Sequence, residues 1–165
     1  MYPEGFATAV TLDGPALGLE SDHRSHFFGG VATVVAKLLN QVRPDVAVFG
    51  EKDYQQLLVV KRLVCDLDLG VEIVAGPTAR EPDGLAMSSR NAYLDPDARV
   101  VAGRMNAVLF AIAGELALGA SWRDAEERGR GALLEAGFES VDYVAVRDAE
   151  SLVAFESDAI DRPAP

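Results

Sequence analysis

Cysteine is nearly absent from this chain of 165 residues, which contains only Cys65. A single cysteine cannot form an intrachain disulfide, so a reducing compartment, the cytoplasm, is the expected location. Because Cys65 falls within an apolar segment, we expect it to pack in the core rather than to act as a reactive thiol.

Long apolar runs are also missing. The longest fully apolar run covers residues 107–114, whereas a membrane-spanning helix needs about 20 such residues. The opening sequence, MYPEGFATAV, has no basic region followed by an apolar core and so does not resemble a signal peptide. These features predict no association with a membrane.

Basic residues are scarce as well. The chain has 15 basic side chains against 26 acidic ones, which gives a formal net charge of -11. Proteins that bind nucleic acids need a basic face to displace counterions from the phosphates, so this balance argues against a nucleic-acid partner. A local basic pocket for a small anionic ligand is still possible. With 49% apolar and 25% charged residues, the composition is that of a folded globular protein.

Alternating apolar segments in the first half of the chain predict an α/β fold. Helical spacing covers residues 30–42 and 54–67, and short apolar runs of strand length cover 45–49 and 71–75. The second of these helices is apolar on most sides and should be largely buried. The apolar stripe of the first comprises Val31, Val34, Val35, Leu38, Leu39 and Val42. A further short strand is expected over 6–12. Continuous apolar strands are typical of a parallel sheet that is buried on both faces, with helices packed against it.

The character of the sequence changes after Pro77, where turn-forming residues replace periodic apolar ones. This change predicts a boundary near residues 77–80, between a sheet-based part and a smaller α+β part. The elements expected in the second domain are helices over 97–118 and 122–136 and a strand over 141–146. Trp122 is expected to anchor its helix against the sheet.

The turn GEKDYQQ at residues 50–56 is the first candidate site, because it follows a predicted parallel strand and opens a helix. Ligands of open α/β sheets bind at this position, and the free amides of a helix N-terminus favour an anion. Lys52 adds a positive charge, and Gly50 permits a close approach of the backbone to phosphate. The alternative is that Asp53 caps the helix and that Lys52 is only solvated.

The sequence MSSRN at residues 87–91 is the second candidate site. Two hydroxyls and a guanidinium, at Ser88, Ser89 and Arg90, can together hold phosphate oxygens. The alternative is a serine cap beside an exposed arginine. His23 and His26 form a weaker candidate, because neither cysteines nor suitably spaced carboxylates accompany them, and solvated loop histidines with no metal are expected.

These motifs together carry a family resemblance. GEKDYQQL and PTAREPDGLAMSSRNAYL, with Gly50 and Met87 separated by 37 positions, resemble the pantoate–beta-alanine ligase (pantothenate synthetase) family. HFFGGVATVVAKLLNQVRPDVAVFG extends the resemblance upstream and VDYVAVRD extends it downstream, so it covers essentially the whole chain.

The resemblance implies an ATP-dependent condensation of pantoate with beta-alanine. A pantoyl-adenylate intermediate is formed, the products are pantothenate, AMP and pyrophosphate, and Mg²⁺ accompanies ATP. The implied fold is the C-terminal half of a Rossmann-like nucleotidyltransferase sheet followed by a small α+β C-terminal domain. The resemblance thus implies a partial Rossmann-like nucleotide-binding domain over 1–78 and an incomplete α+β domain over 79–165. The family also implies a homodimer.

The resemblance assigns roles residue by residue. Gly50 and Asp53 would contact the ribose, Lys52 a phosphate and Gln56 pantoate, while Ala79 would make a backbone contact to adenine. Lys52 and the Ser-Ser-Arg group would be catalytic. The full set implied to bind nucleotide is Gly50, Glu51, Lys52, Asp53, Ala79, Met87, Ser88, Ser89 and Arg90.

The departures from the family pattern set a further expectation. The His-x-Gly-His motif that engages the phosphates in the family is missing, so the sequence resembles a member truncated at both ends, and the isolated chain is expected to be inactive. HFFGGV also carries one residue more than the usual His-Phe-x-Gly-Val after His26. Two alternatives are a non-catalytic nucleotide-binding remnant and an interaction module that uses an unpaired sheet edge.

Overall fold

Two strands of five residues, each preceded by a helix, organise the first part of the chain. β1 (Val46–Gly50) pairs in parallel with β2 (Glu72–Gly76), and Gly50 lies opposite Gly76. The computed structural model describes residues 1–158, and the chain divides after Pro77 into two compact units. The predicted α/β class with a parallel sheet is confirmed, whereas the domain assignments over 1–78 and 79–165 stay predictions. The helices of the first unit are α1 (Glu20–His23), α2 (Phe27–Val42) and α3 (Tyr54–Asp66).

The core of the first unit lies between α2, α3 and one face of the sheet. Its buried members are Ala32, Val35, Ala36, Leu39, Val60, Leu63 and Val71. The small side chains of Ala32 and Ala36 let α2 approach its neighbours closely. The apolar stripe predicted for α2 is therefore partly wrong, because Leu38 and Val42 are 44% and 63% exposed while the alanines are buried.

Within the first unit, residues 1–77, the sheet is covered on one face only. Phe49 and Ile73 pack against the core formed with α2 and α3. Val48 and Val74 alternate with them along the strands and are exposed, Val48 at 68%. The prediction that both strands are buried on both faces is wrong for this unit, because none of its elements covers the valine side.

Helix α3 is amphipathic, rather than apolar on most sides as predicted. Its buried residues are Leu57, Val59, Val60 and Leu63. Lys61, Arg62 and Cys65 lie on its solvent side, so the expectation that Cys65 packs in the core is wrong. A helix that packs against α2 and one sheet face buries a single stripe, and Cys65 falls outside that stripe.

The predicted strand over residues 6–12 is replaced by an unpaired segment that runs beside α2. The Val10 N–H donates to Thr33 Oγ1 at 2.9 Å, and the Thr33 hydroxyl donates in turn to the Gly29 carbonyl at 2.8 Å. Val10 and Leu12 pack against the core. A helix side chain thus takes the hydrogen bond that a neighbouring strand would have taken.

The second unit is built on two packed helices, α4 (Pro96–Ala117) and α5 (Trp122–Glu135), and both predicted helices are confirmed. Asp95 caps α4 by accepting a hydrogen bond from the Ala98 N–H at 2.8 Å, and Ser121 caps α5.

Helix α4 is unusually apolar and little buried. It has 22 residues. An 18-residue window within it has a mean hydropathy of 1.5, and 6% of that window is buried. By length and composition alone this helix could cross a membrane, but a single helix of this kind is weak evidence of a membrane protein. Arg99 and Glu115 of this helix are paired with Asp83 and Arg128. The expectation of no membrane association stays a prediction.

Residues 141–146 run without a strand partner among the described residues, so the strand predicted there is wrong. The Val146 N–H donates instead to Glu126 Oε1 of α5 at 2.7 Å, and the Arg147 guanidinium donates to the same oxygen at 2.6 Å. This carboxylate fixes the segment to a helix where a sheet ladder was expected.

Trp122 anchors α5 to the segment that follows residue 150, rather than to a sheet. The indole is buried, and its Nε1–H donates to the Ser157 carbonyl at 2.7 Å. The Arg123 guanidinium lies 4.4 Å from the ring centroid, within the range of a cation–π contact. The predicted anchoring role is correct, but its partner is different.

Two glycines of α5 provide a matched test of how closely α4 and α5 pack. A Cβ at Gly129 would overlap Ile112 Cδ1 and lie 3.2 Å from Val144 Cγ1, whereas a Cβ at Gly131 would meet nothing within 4 Å. Alanine at a helix interior gains about 1 kcal/mol over glycine, and overpacking costs about 1–3 kcal/mol. We therefore expect Gly131→Ala to raise the free energy of unfolding and Gly129→Ala to lower it by about 1 kcal/mol.

Urea unfolding followed by circular dichroism would measure both variants against the wild-type chain. A Gly129→Ala variant as stable as Gly131→Ala would show that the two helices are not in close contact at this position.

Candidate functional site

The two parallel strands end at the same edge of the sheet, and the first candidate turn starts there. From Gly50 the chain enters a short 3-10 turn, Glu51–Asp53, and then α3 at Tyr54. The first N–H groups of a helix have no partner within the helix, so they are available at this edge. The predicted turn is therefore where open α/β sheets bind their ligands.

Gly50 leaves open space at the end of β1. Its φ of -73° is one that any residue adopts, and an added Cβ would meet nothing within 4 Å. The backbone conformation does not require a glycine here. What the glycine provides is an unobstructed strand end two residues before Lys52.

Lys52 and Asp53 pair with each other. The Lys52 ammonium lies 3.5 Å from Asp53 Oδ1, with the two side chains 38% and 61% exposed. Asp53 occupies the N-cap position of α3, but its side chain accepts no capping hydrogen bond. The capping role proposed as the alternative is thus wrong, because the carboxylate turns towards the ammonium. An exposed pair of this kind is worth about 0–1 kcal/mol, so a stronger anion can replace the carboxylate.

Gln55 and Gln56 are adjacent in sequence but differ in their surroundings. The Gln55 Nε2 donates to the carbonyls of Pro15 and Gly18 at 3.0 and 3.2 Å, and its Oε1 accepts from the Glu20 N–H at 3.2 Å. Gln55 therefore fastens the loop of residues 13–20 to the start of α3. The Gln56 amide is half-buried and makes no hydrogen bond to any residue that the structure describes, which leaves it available to a ligand.

The second candidate loop divides its side chains in a similar way. The Ser88 hydroxyl accepts from the Arg90 N–H at 3.2 Å and caps a short 3-10 turn, Ser89–Tyr93. The serine-cap alternative is therefore correct for Ser88. Ser89 and Arg90 are exposed, and over residues 1–158 the Arg90 guanidinium has neither an ion pair nor a hydrogen bond.

A small hairpin brings two other predicted residues together. The Met87 N–H donates to the Ala79 carbonyl at 2.9 Å, and Arg80 and Ala86 form an antiparallel bridge. We call residues 79–87 the hairpin. Ala79 and Met87 form the last hydrogen-bonded pair, at the end away from the turn, which we call its open end. Met87 is 54% exposed. Sequence reasoning placed both residues at the nucleotide but had no signal that they pair.

The two histidines lie on either side of the short link between α1 and α2. His26 is exposed at the N-terminal end of α2 and makes no side-chain cap. Among residues 1–158 there is no group of three or more His, Cys, Asp or Glu side chains that could hold a metal ion. The roles assigned to Gly50, Lys52, Gln56 and Arg90 stay predictions.

Comparison with known proteins places these motifs in one family. A family model described as Pantoate-beta-alanine ligase matches residues 1–163. The pantothenate synthetase of Maricaulis maris (strain MCS10) is 58% identical over 163 residues, which make up 99% of this chain and 56% of that protein.

Solved structures agree in fold as well as in sequence. The crystal structure of pantothenate synthetase from Thermus thermophilus has a TM-score of 0.88 and 48% identity, over 97% of this chain and 58% of that one. Pantoate-beta-alanine ligase from Francisella tularensis, complexed with Beta-gamma ATP and beta-alanine, has a TM-score of 0.69 and 31% identity, over 82% of this chain and 49% of that one.

The chain therefore spans about half the length of the relatives it matches, as 56% of the Maricaulis maris protein shows. Within that span, sequence and fold agree almost from end to end, with both candidate loops included. The chain belongs to the pantoate–beta-alanine ligase family.

Proposed function

We propose that this chain carries the ATP-binding and pantoate-binding part of a pantoate–beta-alanine ligase. The observation that carries the proposal is the loop of residues 87–91, in which Ser88 serves the fold while Ser89 and Arg90 are exposed. An arginine with no partner among the described residues, beside a hydroxyl, is suited to phosphate oxygens. The Francisella tularensis relative, complexed with Beta-gamma ATP and beta-alanine, supports the same substrates here.

The proposed reaction has two steps. A carboxylate oxygen of pantoate bonds to the α-phosphorus of ATP, and the bond from that phosphorus to the bridging oxygen breaks, which releases pyrophosphate. The amine of beta-alanine then attacks the carbonyl carbon of pantoyl adenylate, forms the amide of pantothenate and releases AMP. In the first step negative charge grows on the α-phosphate and on the leaving pyrophosphate.

The charged side chains have defined roles in that step. The Lys52 ammonium and the Arg90 guanidinium stabilise the growing charge, because fixed cations at such a position lower the barrier. Lys52 first exchanges Asp53 for a phosphate, which releases the Asp53 carboxylate towards the ribose. The Gln56 amide donates to pantoate and orients it for attack.

The remaining contacts hold the nucleotide. The Ala79 carbonyl already accepts from Met87, so its N–H is the group that we assign to adenine. Gly50 lies against the ribose, where its lack of a side chain leaves room. Glu51, Met87, Ser88 and Ser89 complete the proposed nucleotide site.

Mg²⁺ is proposed to enter with ATP. The exposed carboxylate of Glu51 can supply one oxygen ligand, and Mg²⁺ in nucleotide sites commonly uses one or two carboxylates together with phosphates and water. When bound, the ion would neutralise part of the phosphate charge. The Glu51 carboxylate at this turn therefore fits an ion brought by the substrate.

The location, oligomeric state and partners that we propose are those expected for the family. We propose a cytoplasmic homodimer that acts on small molecules. A net charge of -11 disfavours nucleic acid as a partner. A membrane partner is likewise not part of the proposed function.

The reaction itself can be tested with the chain alone and with a chimaera in which it replaces the matching region of the Maricaulis maris protein. We expect AMP release from ATP, pantoate and beta-alanine in the chimaera and none from the chain alone, because the chain lacks the His-x-Gly-His motif. Turnover by the chain alone would contradict the role given to that motif. ATP binding without turnover in the chimaera would favour a non-catalytic nucleotide-binding module.

The two cations can be tested in the same chimaera. Lys52→Ala and Arg90→Ala should each slow adenylation by about one to two decades, because a charge-assisted hydrogen bond contributes roughly 1.5–3 kcal/mol. Lys61→Ala, on the solvent side of α3, is the control and should leave the rate unchanged. Pyrophosphate release in single-turnover experiments is the measurement, and wild-type rates in both variants would remove the assigned roles.

The two glutamines can be separated by pantoate binding. Gln56→Met should weaken pantoate binding about tenfold or more without changing ATP binding, because one hydrogen bond to a charged carboxylate is lost. Gln41→Met, an exposed position on α2, is the control. Isothermal titration of the chimaera with each substrate measures both effects, and equal loss of both substrates would indicate a disturbed fold.

A further inference from the structure

The hairpin of residues 79–87 is anchored on α4 at its tip. Arg99 of α4 donates two hydrogen bonds to the Asp83 carboxylate, from Nη1 to Oδ2 at 2.5 Å and from Nη2 to Oδ1 at 3.2 Å. The same Oδ1 accepts from the Leu85 N–H at 3.1 Å. One carboxylate thus joins the backbone of the hairpin to the helix, and the Arg99 hydrogen bond holds the pKa of Asp83 below its usual value.

Close packing against α4 also fixes the position of the hairpin tip. A Cβ at Gly103 would lie 2.6 Å from Asp83 Oδ2, so any larger residue would displace the carboxylate. Gly84, at φ +90°, lies directly against the Asn106 side chain. Residues 99, 103 and 106 follow one another on a single helix face at spacings of three and four. The face of α4 is therefore shaped to receive the tip.

Backbone hydrogen bonds along the hairpin link its anchored tip to its open end. The Glu81 N–H donates to the Leu85 carbonyl at 2.8 Å, and the Met87 N–H donates to the Ala79 carbonyl at 2.9 Å. Asn91, at the far side of the second candidate loop, donates to the Ala86 carbonyl at 3.1 Å. A shift of the tip would consequently move the backbones of Ala79 and Met87, together with the loop that starts at Ser88.

We propose that Arg99 is a positioning residue for ATP. By holding Asp83 it seats the hairpin on α4, and the hairpin in turn fixes the backbone groups of Ala79 and Met87 that face the nucleotide. This inference rests on the proposed function for ATP itself and extends it to a side chain that does not touch the substrate.

The chain offers two ways to break the anchor and a matched control for each. Arg99→Gln removes the ion pair, with Arg104→Gln as the exposed control on the same helix. Gly103→Ala pushes the carboxylate away while keeping the arginine, and its control is Gly114→Ala, where an added Cβ meets nothing within 4 Å. Arg99→Lys keeps the charge but not the paired donors.

Two measurements on the full chain test the positioning role of Arg99. Both are made at a temperature at which circular dichroism shows that every variant is folded. Hydrogen exchange at the Leu85 and Met87 amides should accelerate in Arg99→Gln and Gly103→Ala, and ATP–Mg²⁺ should bind about tenfold more weakly in both. Arg99→Lys should fall between these variants and the wild type. Neither control should change exchange or binding.

Each outcome has a separate meaning. Unchanged exchange in Arg99→Gln overturns the anchor, and faster exchange with unchanged ATP affinity overturns the positioning role. A wild-type chain that does not bind ATP–Mg²⁺ overturns the proposed function, and exchange alone then decides whether Arg99 orders the hairpin.

Discussion

The parallel pairing of β1 with β2 is the constraint on which the candidate turn depends. Two parallel strands cannot be joined by a tight turn, so α3 must return the chain to the start of the sheet. Gly50 opposite Gly76 fixes which residues reach the carboxyl edge. The helix that makes the return begins at that edge. The 3-10 turn before it carries Lys52 and Asp53, and its own first turn carries Gln56. The buried stripe of α3 then holds the arrangement against α2.

A division between structural and available side chains recurs in both units. Gln55 uses its whole amide to hold a loop, whereas the side-chain amide of Gln56 beside it has no hydrogen bond among residues 1–158. Ser88 caps a turn, while Ser89 is left exposed. In each case one residue fixes the backbone so that its neighbour is presented in a defined position. Such pairs meet the general requirement that a binding group be held by partners that do not themselves touch the ligand.

Much of the fold was predictable because periodicity carries it. The helices α3, α4 and α5 begin within one residue of their predicted starts, and the strands are displaced by a single residue. Features that depend on a partner were not predictable. Residues 141–146 have the composition of a strand but pair with the Glu126 side chain. Leu38 looked like a core residue until the alanines of α2 proved to face inwards. Asp83 and Arg99 are 16 residues apart, and no local pattern joins them.

The valine side of the sheet, which no element of the first unit covers, has a consequence for how the chain behaves in concentrated solution. Val46, Val48 and Val74 form an apolar strip with only Glu72 to interrupt it. At neutral pH the net charge of -11 keeps separate molecules apart, but that repulsion vanishes near the isoelectric point of about 4.5. Sulfate and other excluded salts strengthen apolar contact as well. Mildly acidic, salt-rich buffers should therefore favour self-association through this strip, and dilute neutral buffers should keep the molecules dispersed.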